Sequence, residues 1–130
     1  MSDQSAEATA LTTAAEQVRQ QLRIPDFDAR GVLHLSRVID AQRSSLTPDE
    51  QKDLVTALGC VLGQCLVQTY GGEWANGPDG TTGVGIAGHL FFNPFFRVKE
   101  QLDKGDTASV AAFFASVPER VAKRFDARKG

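Results

Sequence analysis

The chain of 130 residues is long enough to bury a core of its own, and we predict one domain over residues 1–130 with frayed ends at residues 1–5 and 127–130. Its net charge of -2 argues against a nucleic-acid partner, because neutralising phosphates requires an excess of Lys and Arg. The first residues are polar and no apolar run approaches the ~20 residues that span a bilayer, so we predict a cytoplasmic protein without a membrane partner.

Three helices are predicted in the first half of the chain, over residues 6–22, 28–43 and 47–70. The first helix is expected to stop before Pro25, because the residue ahead of a proline avoids the helical conformation. The third has the clearest start, with Thr47 as the cap, Pro48 in the first turn and Glu50 three residues after the cap. Gly71 should end it, since glycine readily adopts the left-handed conformation that closes a helix.

Two glycines and both cysteines of the chain lie in the third predicted helix. Gly59 and Gly63 are one turn apart, and each costs about 1 kcal/mol of helix stability relative to Ala. We therefore predict that a helix or the glycine-rich strand packs closely against them. Cys60 and Cys65 point about 140° apart around the helix, which prevents a disulfide between them, and their apolar setting predicts buried, inert thiols.

The middle of the chain changes from helical to alternating hydrophobicity. Residues 73–75 are predicted to form a short strand and residues 76–80 a turn. Residues 83–92 alternate between two faces and predict one long strand or two short ones.

The last third is predicted to be helical. Asn93-Pro94 suits the cap and first turn of a fourth helix that ends at Gly105. A fifth helical region starts near Thr107, and Pro118 inside it predicts a break or kink. Its cation-rich end, which includes Arg120, suits a solvated helix terminus. The whole pattern predicts an α+β fold with two N-terminal helices, a long central helix, a small antiparallel sheet of two to three strands and two C-terminal helices.

Residues 83–88 match the pattern Gly-x-Gly-x-x-Gly of dinucleotide-binding proteins. In those proteins the pattern follows a buried strand and opens a helix. Here a polar turn precedes it and strand-like residues follow it, and only 42 residues remain in the chain. We therefore predict a strand with one face of small residues, and no cofactor.

Four residues are candidate binding residues: Glu73, Trp74, His89 and Arg97. A single Trp beside a loop suits the core of a small domain, and it also suits a partly exposed interface residue. We predict no metal site and no catalytic residue, because His34 and His89 lack Cys, Asp or Glu neighbours at ligand spacing and no nucleophile motif is present.

Two classes of function follow from these residues. The first is a non-enzymatic, cytoplasmic protein-interaction module, an adaptor or an immunity-type protein, whose partner is another protein or a second copy of the chain. The alternative is a small enzyme or ligand-binding protein that uses Glu73, His89 and Arg97 around the glycine-rich strand. A pocket lined by all three residues would favour the alternative.

A further signal is a set of short motifs in the middle of the chain: Leu58-Gly59 with Gly63, Gly71-Gly72-Glu73-Trp74, Phe92-Asn93-Pro94, Lys99 and Asp103-Lys104-Gly105-Asp106. The set resembles the bacterial group called domain of unknown function 3806. The chain departs from that group in its glycine-rich strand and in Val98-Lys99, where a Lys-Arg pair is expected. The resemblance implies a bacterial protein and carries no established activity.

Overall fold

The helices and strands follow one another in the predicted order. The computed structural model describes residues 3–77, 80–88 and 90–129. Within them the elements are α1 Asp3–Leu22, α2 Ala29–Gln42, α3 Pro48–Tyr70, β1 Glu73–Asn76, β2 Thr82–Ile86, β3 Leu90–Phe92, α4 Pro94–Lys104, a 3-10 turn Gly105–Ala108 and α5 Val110–Lys129. The predicted α+β fold is therefore confirmed.

The ends of the helices agree with the capping signals. The Thr47 hydroxyl accepts a hydrogen bond from the backbone N–H of Glu50, and the Glu50 carboxylate accepts one from the backbone N–H of Thr47. Gly71 closes α3 with a φ of 71°. At the chain termini, residues 3–5 and 127–129 are helical, and residues 1, 2 and 130 lie outside the described residues, so the fraying of residues 1–5 and 127–130 stays a prediction.

The three strands form an antiparallel sheet in the order β1-β2-β3. One row across it, Trp74, Val84 and Phe92, points into the core, and the next row, Glu73, Gly85 and Phe91, points outward. A turn at residues 87–88, both with positive φ, separates β2 from β3, so the second of the two predicted alternatives, two short strands, is correct. Gly83 and Gly85 thus lie in a strand, as predicted, whereas Gly88 lies in the turn that follows it. The predicted turn at residues 76–80 includes Pro78 and Asp79, which lie outside the described residues.

The long helix α3 is the centre of the fold, because α1, α2, α4, α5 and the sheet all contact it. Its two glycines have close neighbours, as predicted, but the neighbours are aromatic rings rather than another backbone. A Cβ at Gly59 would overlap the ring of Phe95 on α4, and a Cβ at Gly63 would overlap the ring of Trp74 on β1. The centroids of the two rings lie 6.2 Å apart, and the rings fill the groove that the glycines leave on α3.

Helix α5 runs through Pro118, so the break that was one of the two predicted outcomes is wrong, and a kink at this residue stays a prediction. A proline inside a helix lacks the N–H that the carbonyl four residues earlier would accept, and that carbonyl here belongs to Phe114. The hydroxyl of Tyr70 donates to the Phe114 oxygen at 2.8 Å and replaces the missing donor. The Tyr70 and Phe114 rings also pack together, with 4.8 Å between their centroids, and this contact holds the last turn of α3 against α5.

We expect Tyr70→Phe to lower the free energy of unfolding by about 1–2 kcal/mol, because the Phe114 carbonyl loses its donor. In a Pro118→Ala background the same substitution should cost close to nothing, since the alanine N–H can bond to that carbonyl. Urea unfolding of the four proteins of this double-mutant cycle measures the difference. Equal costs in both backgrounds would show that Tyr70 does not compensate for the proline.

Candidate functional site

Trp74 belongs to the core rather than to a binding surface. Its side chain is 7% exposed, and the indole N–H donates to Oε1 of the buried Gln64 at 3.1 Å. The interpretation of Trp74 as a partly exposed interface residue is therefore wrong, and the core interpretation holds. Trp74 is buried because its ring packs closely on the backbone of Gly63, which shields the ring from solvent.

Glu73 lies on the outer face of the sheet, at the edge of a shallow cavity of about 420 Å³. Gly85 forms part of the cavity floor, where an added Cβ would meet only the Leu90 oxygen at 3.7 Å. The ring of Phe91 forms one wall and leans over Gly83 of β2. The absence of side chains on the outer face of β2, at Gly83 and Gly85, thus leaves a cavity there instead of admitting a helix.

The candidate residues do not form one site. Arg97 lines a second cavity between α4 and α5, whereas Glu73 lines the cavity on the sheet. His89 lies outside the described residues. Glu73 and Arg97 thus line separate cavities. The enzyme alternative called for one pocket lined by both residues, and the structure does not place them together.

The cavity beside Arg97, which we call the α4–α5 cleft, has a volume of about 320 Å³. Its charged and hydroxyl-bearing walls come from α4, the 3-10 turn and the first three turns of α5. Its lining includes Arg97, Glu100, Lys104, Ser109, Phe113 and Arg120.

The ring of Phe113 packs against two arginines of the cleft, Arg97 and Arg120. Its ring is 6% exposed and packs edge-on against Phe92 of β3, with 5.3 Å between the ring centroids. The guanidinium carbon of Arg97 lies 4.2 Å from the Phe113 centroid and that of Arg120 lies 5.7 Å from it. Arg120 is fixed further by a 2.8 Å hydrogen bond from Nε to the Ser116 hydroxyl. Two guanidinium groups are thereby held at one aromatic ring.

The cleft has more positive than negative charge. The carboxylate of Glu100 lies 3.9 Å from Arg97 and 3.6 Å from Lys104, and it is the one carboxylate among the described lining residues. Burial lowers the pKa of Arg97, and the nearby charge of Arg120 lowers it further, while Glu100 acts in the opposite direction. An anion entering the cleft would relieve this repulsion.

Sequence reasoning found Arg97 but missed its partners. The sequence predicts a solvated helix terminus around Arg120, and Phe113 is not among the candidate binding residues. Phe113, Ser116 and Arg120 are spaced at i, i+3 and i+7, which places them on one helix face. That spacing was visible in the sequence, but the approach of α4 was not.

Both cysteines are buried and unpaired, Cys60 at 3% exposure and Cys65 at 0%. Burial raises the pKa of the Cys60 thiol, and burial together with the charge of Asp28 raises the pKa of Cys65 to about 12. Thiolate, the reactive form, is therefore scarce at neutral pH.

We expect a thiol reagent at pH 8 to label the native protein far more slowly than the urea-unfolded protein. A Cys60→Ser/Cys65→Ser double variant is the control for reaction elsewhere. Stoichiometric native labelling at the rate of a free thiol would contradict the inert assignment and would make these residues candidate catalytic groups.

His34 is held within the fold, since its Nε2 lies 3.1 Å from the Leu22 carbonyl oxygen. Among the described residues, His, Cys, Asp and Glu side chains do not gather in threes as a metal site would require. No helix in the described part of the chain has the length and apolar character needed to cross a membrane.

Known protein families, curated proteins and solved structures gave no match to this chain, so the resemblance to domain of unknown function 3806 stays a prediction.

Proposed function

We propose that the protein is a non-enzymatic, cytoplasmic protein-interaction module, an adaptor or immunity-type protein, that holds an anionic group of its partner in the α4–α5 cleft. The observation that carries this proposal is the pair of guanidinium groups, Arg97 and Arg120, placed over one buried Phe ring. Their charge excess stands out against a whole chain of net charge -2. The motif resemblance supports the further proposal that the chain belongs with the bacterial 3806 group.

The packing and hydrogen bonding of these cations favour recognition. Arginine is enriched at interface hot spots, and a guanidinium already held by packing loses little entropy on binding. The Phe113 ring and the Ser116 hydroxyl hold Arg120, and the ring and Glu100 hold Arg97. An anionic side chain could therefore bind without reorganising the cleft.

A neighbouring apolar side chain favours a protein partner over a free small anion. Phe96 on α4 is 54% exposed, one of the two most exposed large apolar residues of the described chain. It precedes Arg97 by one residue and Glu100 by one helical turn, which places it at the border of the cleft. An exposed aromatic ring beside arginine is the composition of an interface hot spot.

Capture of partners from an extract of the source organism tests this proposal, with the purified protein immobilised as bait. We expect at least one protein to be retained by the wild type and released by salt, and to be lost with Arg97→Gln and with Arg120→Gln. Arg30→Gln is the matched control, because Arg30 is an exposed arginine of α2 outside the cleft whose change removes the same charge. Retention of the same proteins by all variants would contradict the proposal.

A second candidate function, ligand binding at the sheet, is favoured by the cavity of about 420 Å³ beside Glu73. Gly85→Val would add a side chain at the floor of this cavity, where its Cβ would meet nothing closer than the Leu90 oxygen at 3.7 Å. A small molecule that raises the melting temperature of the wild type but not of the Gly85→Val variant would favour this function. Equal shifts for the two proteins would place the ligand elsewhere.

A further inference from the structure

The charge of the α4–α5 cleft defines what kind of anion it suits. Arg97, Lys104 and Arg120 contribute three positive charges, and Glu100 contributes one negative charge. The lining therefore has an excess of two positive charges. A single carboxylate would leave half of that excess unneutralised, whereas a phosphoryl group carries up to two negative charges near neutral pH.

The donor groups of the cleft suit a phosphoryl group as well. Guanidinium groups present planar forks of N–H donors that match the oxygens of phosphate. Ser109 adds a hydroxyl: its oxygen accepts hydrogen bonds from the backbone N–H groups of Ala111 and Ala112, at 3.1 and 3.3 Å. Within the described residues its own proton has no acceptor, so it remains available to a ligand in the cleft.

The N-terminus of α5 does not itself supply the donors. Gln101 accepts from the N–H of Val110, and Ser109 accepts from the next two N–H groups. The helix contributes only the positive end of its dipole, close to the cleft wall at Ser109 and Ala112. The side chains of Arg97, Arg120 and Lys104 must therefore provide the specificity.

We propose that the α4–α5 cleft recognises a phosphorylated side chain of a partner protein, with its doubly charged phosphoryl group held by Arg97 and Arg120. This inference rests on the proposed function and specifies the anion. The cleft volume of about 320 Å³ admits one such group on a short side chain. The exposed Phe96 would then contact a residue next to the phosphorylated one.

Calorimetric titration with two short blocked peptides tests the charge requirement. One peptide contains phosphoserine and the other contains Glu at the same position. We expect the phosphoserine peptide to bind at least ten-fold more tightly, and Arg97→Gln or Arg120→Gln to weaken it at least ten-fold, with Arg30→Gln unchanged. Arg120 is exposed, so its variant should fold even if the Arg97 variant is destabilised.

The pH dependence gives a second readout. The second pKa of a phosphoserine is about 6, so its doubly charged fraction rises about ten-fold between pH 5 and 7.5, while guanidinium groups stay protonated. The titratable and charged lining groups from α4 and α5 are Arg97, Glu100, Lys104 and Arg120. The affinity for the phosphoserine peptide should therefore increase several-fold from pH 5 to pH 7.5. The affinity for inorganic sulfate should change less, because sulfate keeps its two charges over this range.

Two outcomes separate this inference from the proposed function. Phosphatase treatment of the extract should abolish the arginine-dependent capture. If capture persists, or if the Glu peptide binds as tightly as the phosphoserine peptide, the phosphoryl inference is overturned and the proposed function stands. If neither peptide binds at millimolar concentration and no capture depends on Arg97 or Arg120, both are overturned.

Discussion

Gln101→Leu is expected to lower the free energy of unfolding by about 3 kcal/mol, since it leaves several buried polar groups without partners at once. Gln101 is fully buried in α4. The two N–H groups of its amide are shared among three acceptors, the backbone oxygen and hydroxyl of Ser36 and the carboxylate of Asp40, at 3.1, 3.0 and 2.9 Å. Its carbonyl oxygen accepts the N–H of Val110 at 2.8 Å and so satisfies the start of α5.

One side chain thereby connects α2, α4 and α5, and the same connection positions the two walls of the α4–α5 cleft. Urea unfolding followed by circular dichroism measures the loss of stability. Gln42→Leu, at the exposed end of α2, is the matched control and should change the stability by less than about 0.5 kcal/mol. Similar effects of the two substitutions would show that the Gln101 network contributes no more than a surface residue.

Gly63→Leu is expected to destabilise the protein by about 3 kcal/mol, because even a Cβ at this position overlaps the buried Trp74 ring. The gain of helix propensity, about 1 kcal/mol, is too small to compensate. Trp74 cannot move outward without breaking its hydrogen bond to Gln64 and its packing on Phe95. The fluorescence of the single Trp reports the unfolding directly.

Gly85→Ala is the control for this prediction, since a Cβ at Gly85 meets nothing closer than the Leu90 oxygen at 3.7 Å. It should leave the stability within about 0.5 kcal/mol of the wild type. An unchanged melting temperature for Gly63→Leu would mean that the Trp74 ring is not seated on α3.

The elements that could be predicted from the sequence are those whose signals are local. The capping box at Thr47, the closing Gly71 and the cap at Asn93, whose side chain accepts from the Phe96 N–H at 3.1 Å, each involve residues a few positions apart. The alternation of residues 83–92 likewise predicted strand structure, but it did not show where the turn between the two strands lies. Such signals depend on backbone geometry, which neighbouring residues determine.

The features that could not be predicted depend on residues far apart in the chain. Pro118 is tolerated because Tyr70, 48 positions earlier, donates to the orphaned carbonyl. Arg97 and Arg120 meet at Phe113 because the Gln101 network brings α5 onto α4. Periodicity predicts which face of a helix is apolar, but not which other helix face it meets.

The central claim is that the α4–α5 cleft binds an anionic group, and an NMR titration that follows the arginine side-chain Nε–H signals tests it most directly. The titrant is the phosphoserine peptide, followed by the Glu peptide, at constant ionic strength. The claim predicts saturable shifts of the Arg97 and Arg120 signals, with the Arg30 signal unchanged. Shifts that fail to saturate, or that affect Arg30 as much as Arg97 and Arg120, would contradict it.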